Sequence, residues 1–470
     1  MSFQPVFLWT DILIYLLLAL LAVAIGVICR RKYLRAAWKH VLRSRRGQIT
    51  SVILLAYALI GLLDSVHLRQ ALTLPPALQA TTSVQYSSEV LSLLDLWVFH
   101  LREQIETTYS APFATHLYTK ALVTLPDGEQ LRAYPRLKYG GVHLVDPAER
   151  WRDITQTVFL ASGKGLFCWL FLTLLGLAWL AKQRGVSYSV YLGWVLRGSP
   201  NAPWRVACIT VGIVLIFAFI AAALSQDYHI FGTNKVGQDV FYQSLKSIRT
   251  GLVIGTLTTL VMLPLALMLG IVAGYFRGWI DDIIQYIYTT LNSIPGVLLI
   301  AAAILMLEVY IGNHPEKFGT VAERADLRLL FLCLILGMTS WTGLCRILRG
   351  ETLKLREADY VLAAQAFGVS RSKILLHHIL PNVMHIVLIS VVLDFSGLVL
   401  AEAVLSYVGV GVDPSTMSWG NMINSARLEM AREPMVWWSL TTAFLFMFIL
   451  VLAANLFSDV VREALDPRMG

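Results

Sequence analysis

The sequence predicts an all-α polytopic membrane protein of about nine transmembrane helices with one small external α+β module. Two observations predict it. Of the 470 residues, 57% are hydrophobic and only 14% charged, whereas a soluble globular chain carries about 25% charged residues. The mean hydropathy of +0.65 agrees. The apolar residues also gather into stretches long enough for a bilayer core, which takes about 20 helical residues. This composition excludes a soluble enzyme, a disordered chain and a secreted disulfide scaffold.

Lipid offers no partner to a bare backbone, so each stretch reads as a helix. The first, 12–29, follows the acidic Asp11 and lacks the basic leader of a signal peptide, so it is kept as a span. The second is 47–63. The third, 165–181, extends past Lys164, whose stem can snorkel to the interface. Then come 206–226, 250–276, 283–307, 329–345, about 385–408, and 434–458. The eighth of these carries two acids, Asp394 and Glu402. Trp437 and Trp438 read as an interfacial belt on the last span. The five cysteines (Cys29, Cys168, Cys208, Cys333, Cys345) lie in or at the ends of apolar runs, without metal-ligand spacing, and read as small packing residues.

Orientation follows from the loops. Segment 30–46 holds eight basic residues and no acid, and 182–205 holds Lys182, Arg184, Arg197 and Arg205, again without an acid. Segment 346–385 has six basic against three acidic residues, while 308–328 has three against four. With the basic loops in the cytoplasm, the N-terminus is expected outside and the C-terminus inside. The net charge of +8 is then a topology signal and gives no reason to expect nucleic acid.

Residues 1–185 read as a three-helix unit with an external module at about 67–155, which has eight basic and nine acidic residues. Turn signals stand at Pro126-Asp127-Gly128, Gly140-Gly141 and Asp146-Pro147. ALVTL at 121–125 and QLRAY at 130–134 predict a hairpin. Segment 88–107 predicts one amphipathic helix with Val90, Leu94, Trp97, Leu101 and Ile105 on one face. A cytoplasmic linker, 186–204, leads to the second half, 205–470.

The most patterned polar stretch is Arg356–Asn382, READYVLAAQAFGVSRSKILLHHILPN, within a cytoplasmic loop at about 350–382. Tyr360, Ala363, Ala364 and Phe367 recur as one apolar stripe on a short helix. Gly368 suits the left-handed position that ends it, and Ser370 suits the cap of a second short helix. Pro381 is expected to break that helix and redirect the chain into the eighth span. An exposed apolar stripe in such a loop predicts a docking surface. His377 and His378 lie in it, with too few neighbouring ligands for a metal site.

This loop resembles the signature of type I ABC importer permeases, E-A-A, three residues, G, nine residues, I-x-L-P. Ala363, Ala364, Gly368, Ile379, Leu380 and Pro381 match, while Leu362 replaces the expected Glu. Further stretches are similar to the peptide/nickel (dipeptide/oligopeptide) branch: GTNKVGQDVFYQSL (232–245), LGIVAGYFRGWIDDIIQY (269–286), NSIPGVLL (292–299), AEAVLSYVGVGVDPSTMSWGNMI (401–423) and NLFSDVVREALDPRM (455–469). Asn234 and Gln238 depart from it, as do Tyr286 and Thr289. The resemblance covers about 205–470, whereas 1–185 is an atypical N-terminal extension.

The resemblance implies a six-helix permease core, half of a translocation pathway for peptides or similar small solutes in a bacterial cytoplasmic (inner) membrane. It implies a second permease subunit in a heterodimer, two ABC ATPase subunits and an external solute-binding protein as partners, besides the lipid bilayer. ATP and Mg would be held by the ATPases; this chain has no phosphate-binding loop of its own and is expected to bind no cofactor. The implied docking residues are Tyr360, Ala363, Ala364, Phe367, Gly368, Arg371 and Lys373. Gate or pathway candidates are Asp394, Glu402, Ser406 and Trp419, the two acids standing about 12 Å apart along their helix. Asp394 suits either a polar cavity or an interhelical hydrogen bond, and Glu402 matches an acidic position of the family with a structural role. No catalytic residue and no metal ligand is expected. A membrane receptor sensing through the module at 67–155 is the alternative, although the patterned loop would then be unexplained. A membrane-embedded enzyme lacks a constellation to support it.

Overall fold

The computed structural model of the chain describes residues 3–30, 32–71, 86–87, 89–124, 130–197, 203–314, 316 and 320–465. The first unit begins with strand β1 (Phe3–Val6) and the apolar helix α1 (Trp9–Arg30). The short basic α2 (Lys32–Arg43) leads into α3 (Arg45–Asp64). The polar module follows: β2 (His67–Gln70), β3 (Leu91–Ser92), α4 (Leu93–Trp97), α5 (Phe99–Glu103), β4 (Ala121–Thr124) and β5 (Gln130–Ala133). β2 lies between β1 and β3, antiparallel to both, so the module borrows a strand from ahead of the first apolar helix. β4 and β5 form the predicted hairpin, with Ala121 opposite Ala133. Its turn at 126–128 lies outside the described residues, as do 198–202 of the linker.

The long α6 (Arg150–Gln183) then descends to α7 (Tyr188–Arg197). The second half comprises α8 (Arg205–Asp227), α9 (Val240–Phe276), α10 (Trp279–Ser293), α11 (Gly296–Asn313), α12 (Val321–Arg356), α13 (Asp359–Ala366), α14 (Arg371–Ile374), α15 (Leu380–Val408), α16 (Trp419–Glu429) and α17 (Trp438–Leu465). The fold is an all-α polytopic membrane architecture. Among the described residues eight helices are long and apolar enough to cross a membrane, and α1 adds a shorter apolar helix, Trp9–Val23.

The apolar helices run between two ends. Contacts from Asp11 to Arg249, Asp153 to Tyr228, Glu308 to Arg328 and Thr233 to Trp438 gather one set of termini around the polar module. The patterned loop lies at the other end. α9 and α12 pack along their length because small residues let the backbones meet. A Cβ on Gly274 would stand 2.6 Å from Cβ of Thr352. One apolar cluster at the loop end joins Tyr275, Ile284, Leu348, Val361, Ile374 and Val383. Another at the module end joins Tyr57, Ile248, Trp419, Val436 and Trp438.

Three expected elements are corrected. The span at 283–307 is two helices, α10 and α11, parted at Ile294 and Pro295. The residue before a proline is driven out of the helical region, and Ile294 has ψ 129°. α9 begins at Val240, ten residues before the expected 250. Lys246 and Arg249 had ended the apolar run, but both are paired with acids and the helix continues through them. The helix at 88–107 is the short pair α4 and α5, broken at Val98, with Leu94 and Leu101 buried and Trp97 and Ile105 exposed. Ser92 and Asp95 cap its first turn reciprocally, which starts it later than the periodicity suggested.

Candidate functional site

At the loop end, α12 stops at Arg356, and α13 presents two different faces. Val361 and Ala364 are buried in the apolar cluster beneath, while Tyr360, Leu362, Ala363 and Phe367 are exposed, Phe367 by 86%. The predicted stripe is therefore split. Ala364 anchors the helix, and its neighbours face outward. Gly368 has φ +72°, the left-handed conformation expected of it. Its N–H donates to the carbonyl of Gln365 and that of Val369 to Ala364, closing the helix end.

Ser370 occupies the cap position of α14 in extended geometry but makes no side-chain cap bond. Pro381 does not break the helix as expected. A π-helical turn, Leu375–Ile379, carries α14 into α15, with the proline in the first turn of α15. The wider turn absorbs the missing N–H without interrupting the rod. Asn382 donates to the Tyr360 hydroxyl at 3.1 Å, and the Arg371 guanidinium lies 5.8 Å from the Phe276 ring. Lys373 and His377 are exposed. Beside the loop, Arg349 donates two bonds to Asp281 at 2.6 and 2.7 Å, tying α10 to α12 and holding the Asp281 carboxyl below its ordinary range.

Toward the module end, three of the four pathway candidates meet. Glu402 is buried and accepts from the Ser406 hydroxyl at 2.7 Å. The Ser418 hydroxyl and Gly420 N–H bond the same carboxylate. Trp419, 1% exposed, lies against Gly251 of α9. Together they seat the segment after α15 on the bundle. Asp394 stands apart, half-buried on α15, with no hydrogen bond among the described residues. Trp438 is corrected. It is buried rather than interfacial, donates to the Thr233 carbonyl at 3.0 Å, and meets the Tyr118 ring edge-on at 4.8 Å. Trp437 is half-exposed.

The sequence reading missed a polar network that fastens the module to the second half. Arg249 of α9 donates to Asp11 at 2.7 Å and to Thr10 at 2.9 Å, and Thr10 bonds Asp326 of α12. His67 lies 2.7 Å from the other Asp11 oxygen. Lys246 pairs with Asp64 and Asp95, each at 2.9 Å, and Tyr242 donates to Asp95 at 2.7 Å. Glu106 accepts from the N–H groups of Lys138, Tyr139 and Gly140. His229 bridges Glu106 at 3.4 Å and Asp239 at 2.7 Å, and Asp239 caps α9 by accepting from Phe241 and Tyr242. Gly237, at φ +78°, brings its backbone against that of Glu106, where no side chain fits. The signal available was the set of acids at span ends, Asp11, Asp64 and Asp326, facing two cations early in α9. A cleft of 1310 Å³, lined by Glu89, Asp95, Arg102, Lys246 and Arg249 among others, opens between module and bundle.

Residues 266–470 match the family described as the binding-protein-dependent transport system inner membrane component. The chain is similar to the oligopeptide transport system permease protein OppC of Mycobacterium bovis, 32% identical over 239 residues, 51% of this chain and 76% of that protein. It is also similar to OppC of Bacillus subtilis, 27% identical over 299 residues, 60% of this chain and 91% of that one. The dipeptide transport system permease protein DppC of Bacillus subtilis is 30% identical over 241 residues, covering 51% and 69%.

Proposed function

From the premise that the chain belongs to the binding-protein-dependent transport permeases, as a permease subunit of an ABC importer, we propose that it forms half of a pathway for peptides and is driven through the loop at 356–382. A second permease subunit would complete the pathway. Two ATPase subunits holding ATP and Mg would dock at the loop end, and a binding protein would deliver solute at the module end. The module end then lies outside the cell and the loop end in the cytoplasm, in keeping with the basic residues at 30–46 and 182–205.

The observation that carries the coupling is the two-sided α13. Tyr360, Ala363 and Phe367 offer an apolar face to a partner, while Val361 and Ala364 lock the same helix to α9 and α12. A push on that face is transmitted to the long helices, which is what a rigid-body switch of gates requires. Arg371 and Lys373 flank the face with positive charge. At the far end Glu402, Ser406 and Trp419 hold the outer segment as one piece with α15.

Two variants test the coupling. Gly368→Val forces a branched side chain into the left-handed region and misplaces α13 and α14. Phe367→Ala leaves the fold intact, because that ring is exposed. Both are expected to release ATPase subunits during purification and to lower transport about tenfold, with normal amounts of chain in the membrane. Full retention and full transport in both would remove the loop from the mechanism.

A further inference from the structure

We propose that α2 and the start of α3 form a binding surface for anionic phospholipid headgroups. α2 joins the ends of two apolar helices, α1 and α3, so it lies at the level where the bundle leaves the hydrocarbon. Its sides differ. Ala37 and Val41 are buried against Val460 and Val461 of α17, and the Trp38 ring lies 6.3 Å from that of Phe457. On the other side Arg35, Lys39 and Arg43 recur every four residues, all exposed. Arg30, Arg45 and Arg46 are exposed beside them, and segment 30–46 has no acid.

Among the described residues none of these six cations takes part in an ion pair, although Asp459 and Glu463 are exposed on α17 nearby in the fold. Cations drawn into the fold elsewhere behave otherwise: buried Arg249 and partly buried Lys246 and Arg349 each have a carboxylate. The surface is also held still. The Ser44 hydroxyl accepts from Gly47 N–H at 3.0 Å and donates to the Val41 carbonyl at 2.9 Å. The Gln48 side chain donates to Leu42 and Pro203 and accepts from Ala207, pinning the α2–α3 corner to α8.

The chemistry favours lipid as the occupant. A protein interface has an apolar centre with few charges, and the apolar side of α2 is already taken by α17. What remains is a fixed row of cations at bilayer level, complementary to phosphate headgroups, each cation worth about a fivefold change in binding near a charged membrane. The inference needs only that the chain crosses a membrane, not what it transports.

The full chain is reconstituted in nanodiscs of phosphatidylcholine doped with phosphatidylglycerol, extracted into mild detergent, and its retained lipids are counted by native mass spectrometry. The wild type is expected to retain phosphatidylglycerol well above its bulk share. The triple variant Arg35→Gln, Lys39→Gln, Arg43→Gln is expected to lose that enrichment, and raised salt to weaken it in the wild type. The charge-keeping pair Arg35→Lys, Arg43→Lys should retain it, which separates lost charge from lost fold. Equal enrichment in the wild type and the triple variant overturns the proposal. So does a triple variant that sheds its protein partners with its lipids unchanged, since the surface would then face a protein.

Discussion

His229 has both ring nitrogens committed to carboxylates, Asp239 on one side and Glu106 on the other. A neutral imidazole donates from only one nitrogen, so this arrangement calls for the charged form. Burial pushes the imidazole down, but the two hydrogen-bonded carboxylates outweigh it and raise it to about 9. Burial likewise raises Glu106, and the bonds from His229 and the three backbone N–H groups outweigh it, leaving the carboxyl below its ordinary range. For the raised histidine, the contribution to module docking is complete below its unfolded value near 6.5 and is lost as pH climbs through about 9. For the lowered glutamate it is complete above its unfolded value and is lost as pH falls through the folded one. Hydrogen-exchange protection across 228–239, corrected for the intrinsic base-catalysed rate, should therefore fall progressively from about pH 6.5 to about pH 9 and level off beyond it. In His229→Gln the alkaline step should vanish and exchange should be fast throughout, because two buried acids are left facing each other. An unchanged alkaline step in that variant would assign it to another group. None of this was legible beforehand: Asp239 was visible within a patterned segment, but Glu106 lies 123 residues from His229.

At the scale of elements, runs of apolar residues between turn signals were readable, since lipid and period-two pairing both leave local marks. The β4–β5 hairpin and Gly368 appear where expected for that reason. What misled was charge and proline. Lys246 and Arg249 hid the first turns of α9, and Pro381 looked like a break because a π-helical turn leaves no signature in residue type. The faces of α13 were half legible, as the helical spacing of Tyr360, Ala363, Ala364 and Phe367 told of an apolar stripe but not which alanine turned inward. The hairpin itself carries Leu122 and Leu131 exposed on a solvent-facing ribbon, at 64% and 56%. Replacing 120–134 with a Gly/Ser linker leaves Tyr118 on Trp438 and the bond from Leu117 N–H to the Pro135 carbonyl intact. Such a complex is expected to assemble and hydrolyse ATP at its basal rate, with several-fold weaker stimulation by the loaded binding protein. Unchanged stimulation would show the ribbon to be passive.

For the molecule as a whole, the proposed orientation rests on the placement of the module and the basic loops at opposite ends. Cysteines replacing Val145, which is 97% exposed on the module, and Gln183 at the other end test it. In spheroplasts an impermeant thiol reagent should label the first above the native background and spare the second; the reverse pattern would invert the proposed topology. Apolar patterning made the membrane class and the second half readable, but the joint between the halves is built from pairs as far apart as Thr10 and Asp326, 316 residues in sequence. That joint has a consequence for how the protein is made. Asp11, Asp64 and Asp95 leave the ribosome long before Lys246 and Arg249, and Asp326 arrives later still. Asp11 has His67 at hand, but Asp64 and Asp95 wait without their cation at the membrane, where that state is unfavourable. The extension therefore cannot mature first and the permease core second. The joint closes only once α9 and α12 insert, so a nascent chain that stalls before Lys246 is a partly folded intermediate open to misassembly.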